Sequence, residues 1–117
     1  MVRVILDSRG AVSWHDAAGI DELGIRIEGH AGLGSKGTDV VCAGISAIVQ
    51  AAVVGITKVA GIQQDVVQDE GLLETRIALV GVPESRKKAL VIIVETMFAG
   101  LREIEREYPG SLEISIR

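Results

Sequence analysis

Aromatic residues, cysteine and proline are scarce in this chain of 117 residues, which has one Trp, one Tyr, one Phe, one Cys and two Pro. Domains that bind single-stranded nucleic acid present stacking aromatics and a basic face. This chain instead carries a formal net charge of −4, so we expect no direct contact with nucleic acid. A single cysteine excludes an internal disulfide and agrees with a reducing compartment.

The sequence also lacks a hydrophobic run long enough to predict a membrane span. Its longest apolar run covers residues 40–56 and is interrupted by Ser46 and Gln50. That is short of the roughly 20 residues that cross a bilayer, so the run predicts a buried core helix. The first residues form a strand pattern rather than a signal peptide, which favours a cytoplasmic protein. The length predicts a single domain over residues 1–117.

Hydrophobic periodicity predicts five main strands and two helices. Strands are predicted over residues 2–6, 24–28, 65–68, 72–79 and 112–116, with residues 11–14 as a further partner for the first strand and a loop over 15–24. The first helix is predicted from an N-cap at Thr38 or Asp39 to about residue 60, where Gly61 stops it. The second begins at Pro83 and ends before residues 109–110. The order β-β-α-β-β-α-β predicts an α+β domain, a mostly antiparallel sheet with two helices packed on it.

Each predicted helix carries a stripe of chemically similar side chains along one face, polar on the first helix and apolar on the second. The first helix places its polar residues on one narrow stripe with Cys42 at the edge, in the first turn: Asp39, Ser46, Gln50 and Thr57. The second helix carries an apolar stripe: Leu90, Val94, Met97, Leu101, Ile104 and Tyr108.

His30 and Cys42 flank a glycine-rich loop over residues 29–38. Cysteine attacks carbonyl carbon as the thiolate, and a histidine can take the thiol proton. A helix N-terminus favours the anion further, because its unpaired N–H groups and dipole attract negative charge. The arrangement therefore indicates an activated Cys42 nucleophile with His30 as its base. His15 is predicted to lie on the surface without a partner.

Three other functional patterns fit the same region less well. Residues 32–37 match G-x-G-x-x-G, but no acidic residue occurs over 51–62 and the next strands predict a hairpin, which does not suit a dinucleotide-binding βαβ unit. The phosphate loop pattern fails because Ser35 stands where its lysine should be. One cysteine and two histidines do not provide the usual metal-ligand spacing, so no metal is expected.

Two segments closely resemble the ribosomal-processing cysteine protease family, Prp: residues 29–32 (Gly-His-Ala-Gly) and residues 38–47 (Thr-Asp-Val-Val-Cys-Ala-Gly-Ile-Ser-Ala). The similarity continues over residues 50–55, 69–71 and 101–109. Two features depart from the family pattern. Leu33 replaces a frequent aromatic residue, and the segment over residues 10–24 is longer than expected.

The resemblance implies a small cytoplasmic cysteine endopeptidase, homodimeric and without a cofactor. Its implied substrate is large-subunit ribosomal protein twenty-seven, from which it removes an N-terminal extension by cutting after an aromatic residue. By motif match, Cys42 is the nucleophile and His30 the base, with Asp39 and Ser46 in supporting positions. Residues of the glycine-rich loop form the implied substrate loop: Gly29, Gly32, Leu33, Gly34 and Gly37.

Two hypotheses of other classes remain open from the sequence. One is a binding module that holds a nucleotide or phosphate in the Gly-rich loop at the helix start. The other is a non-catalytic ribosome-assembly factor that keeps the protease fold without turnover.

Overall fold

A five-stranded mixed sheet forms one layer of the protein and two long helices form the other. The computed structural model describes residues 1–9, 14–15, 20–29 and 36–117, with the backbone alone at 36–39. The elements are β1 (Val2–Asp7), β2 (Glu22–Glu28), α1 (Lys36–Lys58), β3 (Gln64–Asp69), β4 (Leu72–Ala78), α2 (Glu84–Glu107) and β5 (Leu112–Ile116). The predicted α+β class and element order are confirmed.

The strands lie in the order β3-β4-β2-β1-β5. All neighbouring pairs are antiparallel except β1 and β5, which are parallel. The predicted hairpin is formed by β3 and β4, whose pairing runs from Asp69 opposite Leu72 to Gln64 opposite Ile77. Because Glu28 at the end of the central strand β2 pairs with Leu72 at the start of β4, the hairpin turn projects from the same end of the sheet as the end of β2.

One face of the sheet is buried beneath both helices, and the strand sequences show why. Alternate residues of each strand point to the same face. On β4, the predicted set Leu73, Thr75 and Ile77 is buried, as is Leu79 just beyond the strand. The intervening residues of β4 face the open side, where Arg76 is exposed.

Charged side chains cover the open face of the sheet. Arg26 contacts Glu74 on the neighbouring strand at 3.1 Å, and Arg76 contacts Glu22 at 3.2 Å and Glu74 at 3.3 Å. The hydrogen bond to Glu22 and the nearby charges of Glu74 and Glu22 raise the pKa of Arg76. Exposed ion pairs add little stability individually, so their main effect is to keep this uncovered face hydrated.

The two helices run antiparallel and approach closely at glycines. A Cβ added at Gly100 would lie 3.3 Å from the Ile48 side chain, and one at Gly55 would lie 3.6 Å from Ile93. Within the described part of the chain, α1 is the one helix whose length and composition would allow it to cross a bilayer, over Val40–Lys58. One side of it packs into the core of this domain through Ile45 and other apolar residues.

Several predicted boundaries differ from the structure. α1 begins at Lys36 rather than at a cap on Thr38 or Asp39, because one glycine inside a helix costs only about 1 kcal/mol and does not exclude residue 37. β2 begins at Glu22, inside the predicted loop. Pro83 is the N-cap of α2 rather than its first residue.

The ends of both helices confirm part of the sequence prediction and correct another part. Gly61 adopts φ +69, and the Ile62 N–H donates to the Ile56 carbonyl, which is a glycine-terminated helix end of the expected kind. Tyr108, predicted to continue the apolar stripe of α2, is the C-cap and is 53% exposed. The stripe therefore ends before it.

The segment between β1 and β2 contributes to the core. The predicted strand over residues 11–14 lies outside the described residues except for Trp14, which is in a turn and buried. The Trp14 ring meets Phe98 of α2 edge to face, with centroids 5.9 Å apart. His15 is exposed as predicted, but the expectation that it has no partner is wrong. Its Nε2 lies 2.7 Å from Oε1 of Glu95, because the buried tryptophan holds the turn against α2.

Candidate active site

Cys42 is half-buried on α1 and packs against the edge of the hydrophobic core. Because α1 begins at Lys36, Cys42 lies in the second turn and not in the predicted first turn. The helix dipole acts mainly within the first turn. The dipole at the helix start therefore acts on the Cys42 sulfur less than the sequence pattern indicated.

The cysteine opens into a cleft of about 320 Å³ between α1 and the β3–β4 hairpin. α1 contributes Cys42, Ala43, Ser46 and Gln50; the hairpin contributes Gln68, Asp69, Gly71, Leu72 and Leu73; Val2, Ile27 and Gly29 complete the lining. One wall is therefore polar and helical, while the other combines apolar leucines with an exposed carboxylate. A cleft of this composition can hold a short peptide segment against the thiol.

Gly29 fixes where the chain leaves β2 and enters the glycine-rich loop. Its φ is +89, a conformation that favours glycine, and its N–H donates to the Gly71 carbonyl at 3.2 Å. A Cβ at this position would lie 2.8 Å from the Met1 carbonyl oxygen. The exit of β2 is thus held between β1 and the hairpin turn, at the edge of the cleft. His30 is the next residue along the chain.

The polar stripe of α1 is present and is hydrogen-bonded. The Gln50 Nε2 donates to the Ser46 Oγ at 2.8 Å. Further along the helix, the Gln64 side chain of β3 donates to the Thr57 hydroxyl at 2.8 Å and accepts from the buried Thr75 hydroxyl at 2.8 Å. The stripe thus lines the cleft at one end and ties the edge strand to α1 at the other.

The structure brings together three of the predicted site residues, Gly29, Cys42 and Ser46, in one cleft. Gly37 and Asp39 lie on the first turn of α1, where the backbone alone is described. The remaining predicted site residues lie outside the described residues: His30, Gly32, Leu33 and Gly34.

Sequence reasoning did not assign Gln50, Gln68 or Asp69 to the site. Gln50 could have been assigned from the sequence, because a residue four positions after Ser46 lies on the same face of a helix. The other two lie on the hairpin, and only the folding of β3 beside β4 brings them opposite Cys42. Among the described residues, no group of three or more His, Cys, Asp or Glu side chains is arranged to hold a metal ion.

Comparison with known proteins decides the family. The family model for cysteine protease Prp matches residues 18–113. The chain belongs to the Prp family of cysteine proteases. It is 35% identical over 95 residues to the ribosomal processing cysteine protease Prp of Bacillus subtilis. These aligned residues cover 80% of this chain and 84% of that protein. The prediction of a cysteine peptidase is confirmed.

Solved structures share the Prp fold over the whole chain. The essential ribosomal processing protease Prp of S. aureus, solved with a covalently linked product peptide, is 24% identical with a TM-score of 0.72 and full coverage of both chains. SMU.848 of Streptococcus mutans is 20% identical with a TM-score of 0.70, covering 99% of this chain and 93% of the other. At these identities the likeness supports the fold, while the Bacillus subtilis relative supports the family.

Proposed function

We propose that this chain removes the N-terminal extension of large-subunit ribosomal protein twenty-seven and thereby supports ribosome assembly. The observation that carries the proposal is the lone cysteine opening into a peptide-sized cleft, in a chain whose curated relative is a ribosomal processing cysteine protease. The net charge of −4 suits a basic ribosomal substrate. The apolar side of the cleft suits an aromatic residue before the cut.

In the proposed reaction, His30 takes the proton of the Cys42 thiol, and the thiolate attacks the carbonyl carbon of the scissile peptide bond. The resulting tetrahedral intermediate expels the amine, which receives the proton from His30, and leaves a thioester on Cys42. Water then hydrolyses the thioester with His30 again as the base. The N–H groups of the first three residues of α1, at 36–38, lack acceptors within the helix and are our candidates for stabilising the oxyanion. Asp39 and Ser46 support the site, and no cofactor takes part.

Cleavage of a peptide that spans the junction between extension and mature protein tests this proposal. Mass spectrometry should find two products from the wild type and none from Cys42→Ala, with circular dichroism showing that the variant is folded. Ala99→Ser is the control, because it changes an exposed alanine on α2 that does not line the cleft and leaves the thiol in place. Peptide binding without cleavage by the wild type would favour a non-catalytic assembly factor, and cleavage by folded Cys42→Ala would exclude the proposed nucleophile.

We propose further that the protein is a cytoplasmic homodimer that does not insert into membranes. The outward face of α1 carries an exposed stripe of small apolar residues: Val40, Ala43, Ala47, Ala51 and Val54. Val40 is 71% exposed and Val54 is 53% exposed. Small side chains allow close packing against a second copy, which would remove these valines from water.

Sedimentation measures the oligomeric state directly. Ala47→Arg should yield monomers, whereas Ala99→Arg, the same change at an exposed alanine on α2, should leave dimers intact. A wild-type protein that sediments as a monomer at micromolar concentration would exclude the homodimer. Recovery of the protein in the membrane pellet would exclude the proposed location.

A further inference from the structure

Three cleft residues follow one another at four-residue intervals along α1: Cys42, Ser46 and Gln50. Residues four apart on a helix lie on one face, with Cβ atoms about 5–6 Å from each other. The Gln50 Nε2 donates to the Ser46 Oγ at 2.8 Å. The three side chains therefore form a row that leads from the exposed amide to the thiol.

The direction of the hydrogen bond determines what the serine can do. An amide nitrogen only donates, so the bond from Gln50 occupies a lone pair of the Ser46 oxygen and leaves the hydroxyl proton for another acceptor. Among the described residues, no hydrogen bond is recorded from that hydroxyl. Helical side chains lean toward the N-terminus, and the group one turn in that direction is Cys42. A thiolate there is an acceptor for the Ser46 proton.

We infer that Gln50 is a positioning residue that orients the Ser46 hydroxyl toward the Cys42 sulfur and so stabilises the thiolate. This inference rests on the proposed function, in which that thiolate is the nucleophile. The competing interpretation is structural: the bond from Gln50 to Ser46 stabilises the helix, and the serine proton is bound to the backbone.

Alkylation of Cys42 separates the two interpretations without a substrate. Because Cys42 is the only cysteine, iodoacetamide reports on this thiol alone, and the rate is measured against pH. Gln50→Leu should lower the rate at pH 7 about fivefold, the size of one ordinary hydrogen bond, and move the midpoint of the profile to higher pH. Unchanged rate and midpoint in a folded variant would overturn the inference.

Reversal of the donor gives a sharper test. In Gln50→Glu, the carboxylate can only accept, so the Ser46 hydroxyl turns toward it and away from the sulfur. This variant should lose more reactivity than Gln50→Leu. Gln68→Glu is the matched control, because it adds the same charge to the same cleft from β3, and no described hydrogen bond links Gln68 to Ser46. Equal losses in the two glutamate variants would show that charge alone is responsible and would overturn the inference.

A double-mutant cycle tests whether Gln50 acts through the serine. In a Ser46→Ala background, Gln50→Leu should change the alkylation profile no further, whereas two independent effects would multiply and contradict the inference. In peptide cleavage, Gln50→Leu should lower kcat with little change in KM. If the wild type cleaves no peptide, the proposed function fails, but the alkylation series still decides whether Gln50 acts on the thiol.

Discussion

Gly29→Ala should damage both the fold and the site, and the structure allows the cost to be estimated. At the Gly29 φ of +89, the left-handed backbone would destabilise the folded state of an alanine variant by roughly 1–2 kcal/mol. Its Cβ would also lie 2.8 Å from the Met1 carbonyl oxygen, and overpacking of this kind costs about 1–3 kcal/mol. The atom in the way belongs to the backbone, so relief requires movement of β1 or of the end of β2. We therefore expect a loss of about 2–5 kcal/mol in the free energy of unfolding.

Gly81→Ala is the matched control for this experiment. Gly81 also has positive φ, +77, but a Cβ there would meet nothing within 4 Å, and the residue does not line the cleft that contains Cys42. Gly81→Ala should lower the free energy of unfolding by only about 1 kcal/mol. The backbone strain is partly offset, because an unfolded chain with alanine in place of glycine has less conformational entropy to lose on folding. Urea unfolding gives both values.

Peptide cleavage should separate the two variants more strongly than stability does. A displacement of the β2 exit moves the attachment point of His30, and a catalytic group misplaced by about 1 Å can cost about a hundredfold in rate. We expect Gly29→Ala to lose about that factor at a temperature where it is fully folded, while Gly81→Ala keeps wild-type turnover. Equal stability losses with full activity in both variants would refute the reasoning that Gly29 positions the site.

Three further changes have defined outcomes. His30→Ala should lower turnover by a factor of about a hundred or more, as for a lost general base, whereas His15→Ala, on the surface, should change it little; similar rates would exclude the assigned base. Gly55→Ala should raise the free energy of unfolding by about 0.5–1 kcal/mol, because an added Cβ meets α2 at an ordinary 3.6 Å; a loss in urea unfolding would mean that the helices cannot accept a methyl group. Thr75→Val should lower the free energy of unfolding by about 1–2 kcal/mol, because it leaves the side-chain amide oxygen of Gln64 without its buried donor. Amide hydrogen exchange in β3 should then become faster, and unchanged protection would contradict this role.

The arrangement of elements could be predicted because the sequence expresses it locally. Two features that depend only on neighbouring residues are as expected. Buried residues alternate along β4 at Leu73, Thr75 and Ile77, and Gly61 ends α1. The β1–β5 pairing could not be predicted in the same way, because no local pattern specifies which distant strand becomes a neighbour.

The site was predictable in its chemistry and less so in its geometry. The type and spacing of His30 and Cys42 indicated thiol chemistry, and the family match confirms a cysteine peptidase. Glycines suggested that the loop continues to residue 38, yet α1 extends back to Lys36, and Cys42 therefore lies about one turn further from the helix start than predicted. The opposite wall, with Gln68 and Asp69, depends on tertiary structure alone.

The parallel pairing of β1 with β5 sets the order in which the protein can become functional during synthesis. β1 is the first strand made, but its outer edge stays open until β5, the last element in chain order, is available. Val2, at the start of β1, lines the cleft beside Cys42 and pairs with Leu112 of β5. A nascent chain in which β5 has not yet joined the sheet therefore lacks the support of one side of its cleft, so proteolytic activity should appear only after β5 has paired with β1.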